Sequence, residues 1–394
     1  MMRICFVISN FNTKSRGNGG HYYSLISTAS AMSKLIDISI LNIGTHKSIA
    51  LEDSILRVTN IVNNNNNNII TVLRLMLSSR AFFKNEKFDS IHAFDDLAYF
   101  FGRINSSKYK IPIVLTKCGG PNPKSYYPNS KDLILFSQEN LNYFKGNKRF
   151  KNSNIYLIPN RINNVYQDKS RIEKLINKYD LESYDFVLLR IARIGPAYKK
   201  SIDQIIEVKK NMSTDISSAI LIIGSIENIE IYEEINKYDI PGLFIETDNF
   251  FTKKASELIS VGDIVLGTGR SFMEASILNK LMLAPIKNSD YPAIVDVDNF
   301  NLLASFNFSP RTNLKSFSRD NEIIKINAIL KNKDILNDFI SEHDDLFKTK
   351  FQLSFVCEKY LSLYRNLKFY PRKFRIDVFL NLLFLIRTLY QNKR

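Results

Sequence analysis

The sequence predicts an α/β protein built from two doubly wound, Rossmann-like halves with a helical C-terminal segment. Short apolar runs alternate with helical patterns along most of the chain, which is the signature of parallel sheets. At 394 residues the chain is long for one core. The alternation also stops at the Pro-Asn of "NIYLIPNRIN" and restarts at "DFVLLRIAR", which places a boundary near residue 165.

In the first half "RICFVISNF" reads as a strand, followed by the polar, glycine-rich "NTKSRGNGG", a helix in "HYYSLISTASAMSKL" and a strand in "IDISILNI". "FDSIHAF", "IPIVLTK" and "DLILFS" read as further short strands. The asparagine run at 63–68 has nothing to bury and reads as a solvated loop. A charged helix, "DKSRIEKLINKYDL", opens the second half. Then come the strand "DFVLLRIAR", the helix "SIDQIIEVKKNM", the strands "SAILIIG" and "GLFIET", the helix "TKKASELISV" and the strand "DIVLG". That last strand runs through "TGR" into an apolar helix carrying Glu274. Residues 334–367 read as helical. The predicted parts are 1–165, 166–345 and 346–394, the last comprising helices and a basic apolar tail.

With 45% hydrophobic and 12% aromatic residues the chain is globular. Its 54 basic and 39 acidic residues leave a formal net charge of +15, which favours anionic partners. No zinc-finger spacing and no basic stripe with an aromatic RNA-reading signature is present, so nucleic acid is not expected. Cys5, Cys118 and Cys357 lie far apart, and no histidines pair at ligand spacing. A reducing cytoplasm and no structural metal are expected. The start, "MMRICFVISNF", suits a first strand better than a signal peptide. From Lys368 onward the tail carries seven basic residues and one acid, Asp377. Its apolar stretch is too short to cross a bilayer, which takes about 20 residues. Residues 368–394 are expected to lie on an anionic membrane surface, with packing back on the protein as the alternative.

Several spots fall at strand ends, where open α/β sheets bind ligands. Gly19 and Gly20 precede a helix and would let a phosphate approach the backbone; a plain flexible turn fits equally. In "RIARIGPAYKKS", Arg193 ends a strand and Lys199 and Lys200 enter the next helix. Cations there oppose the helix dipole and are easier to understand around a bound anion. In "TGRSFMEAS", Gly269, Arg270 and Ser271 form the turn, and Glu274 follows. Ser271 and Glu274 have capping-box spacing, so the glutamate either caps its helix or accepts hydrogen bonds from a sugar hydroxyl. His92 ends a strand ahead of Asp95 and Asp96, where a lone histidine is more often structural than catalytic. Asp296 and Asp298 in "VDVDN" read as turn residues rather than metal ligands.

The order of these features resembles the nucleotide-sugar glycosyltransferases of GT-B fold, in particular the retaining family 4 type. The resemblance rests on Gly19-Gly20, on Pro159-Asn160, on Arg193 with Lys199 or Lys200, and on Glu274-Ala275, and it covers most of residues 1–345. It implies two domains facing a cleft and transfer of a sugar from a nucleotide diphosphate sugar, UDP-linked, to a saccharide or lipid-linked acceptor. Bacterial capsule or O-antigen assembly is the implied setting, on the cytoplasmic face of the plasma membrane. The resemblance further implies that Arg193 and Lys200, with Lys199, neutralise the leaving diphosphate without a metal or other cofactor. His92 would be catalytic, Glu274 would hold the ribose, and Gly19, Gly20, Gly269, Arg270 and Ser271 would line the donor site. The chain departs from the family at Gly267, where a second glutamate is usual, and at Cys118, where a histidine is usual. A nucleotide-sugar 2-epimerase of the same fold and an inactive sugar-nucleotide-binding scaffold are the competing readings.

Overall fold

The computed structural model describes residues 1–11, 17–52, 54–64, 68–123, 127–163, 165–371, 379, 382–383 and 385–386. The chain divides into two compact units, one of Met1–Arg161 with Leu353–Arg394, the other of Ile162–Gln352.

The first unit runs β1 (Arg3–Asn10), α1 (Gly20–Met32), β2 (Asp37–Gly44), α2 (Ile49–Glu52), β3 (Arg57–Val62), α3 (Asn68–Asn85), β4 (Ser90–Ala93), α4 (Asp96–Tyr109), β5 (Ile113–Lys117), β6 (Asp132–Leu135), α5 (Gln138–Gly146) and β7 (Asn154–Leu157). All seven strands are parallel, in the order β3-β2-β1-β4-β5-β6-β7. The order reverses between β1 and β4, so α1 and α4 leave to opposite faces of the sheet. Leu25 and Met32 of α1 join one core layer with Ile4 and Phe6. Leu97 and Phe101 of α4 join the other with Cys5 and Val7.

The second unit repeats this plan. It runs α6 (Lys169–Tyr179), β8 (Phe186–Ile191), α7 (Pro196–Lys210), β9 (Ser218–Ile223), α8 (Ile229–Asn236), β10 (Leu243–Glu246), α9 (Asn249–Thr252), β11 (Ile264–Leu266), α10 (Arg270–Ser276), β12 (Leu281–Ala284), β13 (Ala293–Ile294), α11 (Val297–Ser305), α12 (Arg319–Leu330) and α13 (Lys333–Phe351). The strand order is β10-β9-β8-β11-β12-β13, parallel except for β12 with β13. The reversal falls between β8 and β11. Ile202 and Ile205 of α7 pack in one layer, Phe272 and Met273 of α10 in the other. Every residue of β9 is buried, as a strand covered on both faces requires. The predicted class, two doubly wound α/β halves with helices at the C-terminal end, is therefore the observed one.

Three local expectations change. The apolar run after "TGR" is not one helix: α10 ends at Ser276, and Leu281–Ala284 becomes a strand between β11 and β13. Its four residues are buried on both sides, which a sheet interior rewards and a lone apolar pattern cannot distinguish from helix. "TKKASELISV" is also broken. The side chain of Asp248 caps α9 at the Phe250 amide, Lys254 adopts φ +52, and a 3-10 turn covers Ala255–Val261. The edge strand β3 and the helix α3 answer to no predicted element.

After α13 the chain returns to the first unit. There α14 (Ser354–Asn366) buries Val356, Tyr360 and Tyr364 in the layer of Ile4 and Phe6. Of the tail expected at a membrane surface, most lies outside the described residues. Leu385 is buried in the layer of Leu75 and Phe83, while Phe379 and Leu383 are exposed. No helix among the described residues is long and apolar enough to cross a membrane.

Candidate functional site

The second unit gathers seven of the predicted site residues around the carboxyl ends of β8 and β11, where its strand order reverses. Arg193, Lys199 and Lys200 belong to the β8–α7 turn and the first turns of α7. Gly269, Arg270, Ser271 and Glu274 belong to the β11–α10 turn and α10.

Helix α7 and the β11–α10 turn are joined by a residue with no motif of its own in the sequence. Arg190 sits inside β8 and has no exposed surface. Its Nη1 donates to the Leu266 carbonyl at 2.9 Å and its Nη2 to Thr268 Oγ1 at 3.3 Å. Nε and Nη2 also donate to Ser201 Oγ, at 3.1 and 2.8 Å. None of these partners is charged, so Arg190 is a buried cation held by neutral oxygens. Burial pushes its pKa down to about 10, still far above neutrality. A buried charge without a counter-ion is costly, and such cases concentrate at functional sites. In the sequence the residue was masked by its apolar strand, where only the periodicity was legible.

The predicted phosphate cations are all engaged. Arg193 Nη1 lies 3.1 Å from Glu227 Oε1, and its Nη2 donates to Tyr198 OH at 3.2 Å. Lys199 pairs with Asp203 at 2.6 Å and Glu234 at 3.0 Å. Lys200 Nζ donates to the Lys287 carbonyl at 2.5 Å. It lines an open groove of about 800 Å³ along α7 that Gln204, Glu207 and the loop at Asn288–Asp290 complete. The two lysines thus point to different neighbours, and the structure does not bring them together around one point.

The β11–α10 turn overturns the capping-box reading. Gly269, with φ +52, is the residue before the helix, and Ser271 lies inside it. Ser271 Oγ accepts from the Thr268 amide at 3.1 Å and donates to the Thr268 carbonyl at 3.0 Å. Glu274 instead takes Arg270 Nε at 2.6 Å, one helical turn back. Burial raises the Glu274 pKa, and the Arg270 charge works against that rise. Gly267 explains the missing second acid sterically: a Cβ there would lie 2.5 Å from the Phe272 Cα. The Phe272 ring is itself fixed, stacked on Phe308 with centroids 3.7 Å apart.

The remaining predicted residues belong to the first unit. Gly19 is the residue before α1, in extended conformation, and Gly20 is its first residue. A Cβ on Gly20 would meet nothing within 4 Å, so space is open there. Ser15 and Arg16 of the same loop lie outside the described residues. His92 is the third of the four residues of β4 and faces the core. Its Nδ1 is 2.7 Å from Tyr364 OH and its Nε2 is 2.6 Å from Thr116 Oγ1. Both ring nitrogens are occupied, the side chain is fully buried, and desolvation lowers its pKa to about 3. The ring is packed among Phe6, Phe94 and Tyr364. Its neighbour Asp95 does the joining at this sheet's reversal point. Its carboxylate accepts from the Ser9 amide at 2.8 Å, Ser9 Oγ at 2.7 Å and the Ala98 amide at 2.7 Å. Cys118 directs its thiol to the Phe94 carbonyl at 3.4 Å.

Asp296 caps α11 in a reciprocal box with Asn299 and pairs with Lys325 at 2.7 Å; Asp298 is exposed in the first turn. Among the described residues no group of three or more His, Cys, Asp or Glu is placed to hold a metal ion.

No family model matches the sequence, and no curated protein matches it either. Solved structures do. The chain is similar to Anabaena HepE in complex with UDP and glucose, with a TM-score of 0.66 and 16% identity, over 93% of this chain and 100% of that one. It is similar to a glycosyltransferase from Rickettsia africae, with a TM-score of 0.65 and 16% identity, over 92% and 98% of the two chains. It is also similar to UDP-GlcNAc 2-epimerase from Neisseria meningitidis, with a TM-score of 0.55 and 13% identity, over 93% and 100%. The chain has the GT-B fold, which it shares with these solved structures.

Proposed function

We propose that this protein is a glycosyltransferase that moves a hexosyl group from a UDP-sugar to a saccharide or lipid-linked acceptor. The reaction proceeds with retention and without a metal ion, as in the family 4 type that the motif order resembles. It serves bacterial surface polysaccharide synthesis at the cytoplasmic face of the membrane. The observation that carries this reading is the buried, uncompensated Arg190 tying α7 to the end of β11 and the β11–α10 turn at the reversal point of the second sheet. It supplies standing positive charge where such a sheet takes its ligand.

In this scheme the half-buried Arg193 contributes the cation for the leaving diphosphate, exchanging Glu227 for phosphate oxygens. Charge stabilisation by preorganised groups needs no proton transfer at the leaving oxygen. Glu274, aligned by Arg270, accepts hydrogen bonds from the ribose hydroxyls. Lys200, which donates to a neutral carbonyl, adds to the positive field. His92 supports the first sheet from within. The test is acceptor-dependent release of UDP from a panel of UDP-sugars; no release with any donor and acceptor pair would defeat the reading.

A 2-epimerase is the second reading. It is favoured by the likeness to the Neisseria enzyme and by Gly267, which leaves no room for a second acid. Free epimerised sugar formed without an acceptor would establish it.

A further inference from the structure

Helix α3 presents an outer face that the rest of the described chain leaves bare. The inner face is built from Thr71, Val72, Leu75, Ser79 and Phe83, each no more than 3% exposed. Asn105 of α4 donates to Ser79 Oγ at 3.1 Å, and Tyr109 OH donates to the Arg80 carbonyl at 3.0 Å, which fixes how the helix is turned. At about 100° per residue those five positions span roughly 120° of arc. The opposite arc, of about the same width, holds Leu73, Arg74, Leu77, Arg80 and Lys84. Leu73 is 53% exposed and Leu77 is 62% exposed, with Ile69 one turn earlier at 61%.

The charges on this face are of one sign. Between Asp53 and Glu86 the sequence contains no acid at all. Of the basic residues in that span, Arg57 is taken by Glu86 at 2.5 Å. Arg74, Arg80 and Lys84 form no ion pair among the described residues. Large apolar side chains and unpaired cations therefore share the exposed face, with Leu73, Arg74 and Leu77 in its first half and Arg80 and Lys84 in its second.

A soluble helix normally turns such leucines inward, and an exposed row of them marks a contact surface. A second copy of this chain fits poorly, because a two-fold contact through this face would set the same cations against one another. An anionic bilayer surface satisfies both features at once. The leucines enter the boundary between headgroups and acyl chains, and the cations meet lipid phosphates.

We propose that the outer face of α3, through Ile69, Leu73 and Leu77 with Arg74, Arg80 and Lys84, docks the first unit on an anionic lipid surface. This inference does not rest on the enzymatic reading. It assigns the membrane contact to α3, ahead of the basic tail, whose Leu385 is committed to the core beside Leu75.

The test is sedimentation of the full chain with vesicles of phosphatidylglycerol and phosphatidylethanolamine, against vesicles of neutral phosphatidylcholine alone. Two variants are compared with wild type, Leu73→Ser/Leu77→Ser and Arg74→Gln/Arg80→Gln/Lys84→Gln. All five positions are exposed, so the melting temperature of each variant should stay within a few degrees of wild type. Wild type is expected to partition onto anionic vesicles and not neutral ones, and each variant to lose at least about tenfold of that partitioning. Variants that sediment like wild type would overturn the proposal and return the contact to the tail. A wild type that ignores anionic vesicles would overturn it too. So would a change from dimer to monomer by light scattering in the leucine variant with vesicle binding intact.

Discussion

Arg270 Nε lies 2.6 Å from Glu274 Oε1, and the two side chains are only 15% and 10% exposed. The pair lies within α10, at the reversal point of the second sheet. Because Gly269 and not a serine precedes the helix, the glutamate has no capping duty to perform. Glu274→Gln keeps an acceptor for Arg270, so the melting temperature should fall by no more than a few degrees. The amide should nevertheless raise the donor KM or lower turnover by at least about tenfold, equivalent to roughly 1.4 kcal/mol. Discrimination against 2′- or 3′-deoxyribose donors should largely disappear in the variant. Unchanged donor kinetics with a large drop in melting temperature would leave Glu274 only a structural role.

Arg190 makes a different demand. Arg190→Met removes a charge and strands the Leu266 carbonyl and the hydroxyls of Ser201 and Thr268, which should cost about 1–3 kcal/mol of stability. If its charge also acts on the ligand, calorimetry should show UDP affinity falling by about tenfold or more while uridine affinity holds. Arg190→Lys should recover part of the UDP affinity. Equal losses for UDP and uridine would reduce Arg190 to scaffold.

The sealed His92 gives a pH prediction. Its pKa is about 3 in the folded protein against an ordinary 6.5. Between those values the unfolded chain binds a proton that the folded chain excludes, so stability falls as pH drops from about 6.5 towards 3. Asp95 acts in the opposite sense: burial first, and Asp96 second, raise its pKa from 3.8 to about 6. The folded chain holds that proton where the unfolded chain gives it up, so between those values this group alone makes stability rise as pH falls. His92→Gln preserves a donor and an acceptor for Tyr364 and Thr116 but cannot titrate. Melting temperatures measured from pH 7 to 4 should decline less steeply in the variant; identical slopes would contradict the sealed, neutral ring.

The alternation of β8, α7, β9 and β11 was legible because buried parallel strands read as continuous apolar runs bounded by turn residues. β3 was not, since Arg57, Thr59 and Asn60 break the pattern on a sheet edge that needs only one covered face. β12 merges with the helix before it, because "LNKLMLA" shows no period that separates four buried strand residues from another helical turn. Arg193 and Glu274 are legible as candidates from their position after strands. The partners that define them, Glu227 and Arg270, depend on distances that spacing alone does not fix. Arg190 had no sequence signal beyond a charge in an apolar strand, and that mismatch is the one worth noting in such runs.

Metal independence is a separate expectation. Asp296 is occupied by Asn299 and Lys325, and transfer should run at full rate in excess EDTA. Activity lost in EDTA and restored by magnesium or manganese would contradict it.

The central claim, that the reversal point of the second sheet holds a UDP-sugar by its diphosphate, is tested most directly by titrating the full chain with UDP in a calorimeter. Wild type should bind UDP more tightly than uridine. Arg193→Ala should lose about 2–3 kcal/mol of UDP binding, the cost of one charge-assisted contact, with Glu227 left facing the phosphates. No UDP binding by wild type, or the same affinity in the variant, would contradict the account.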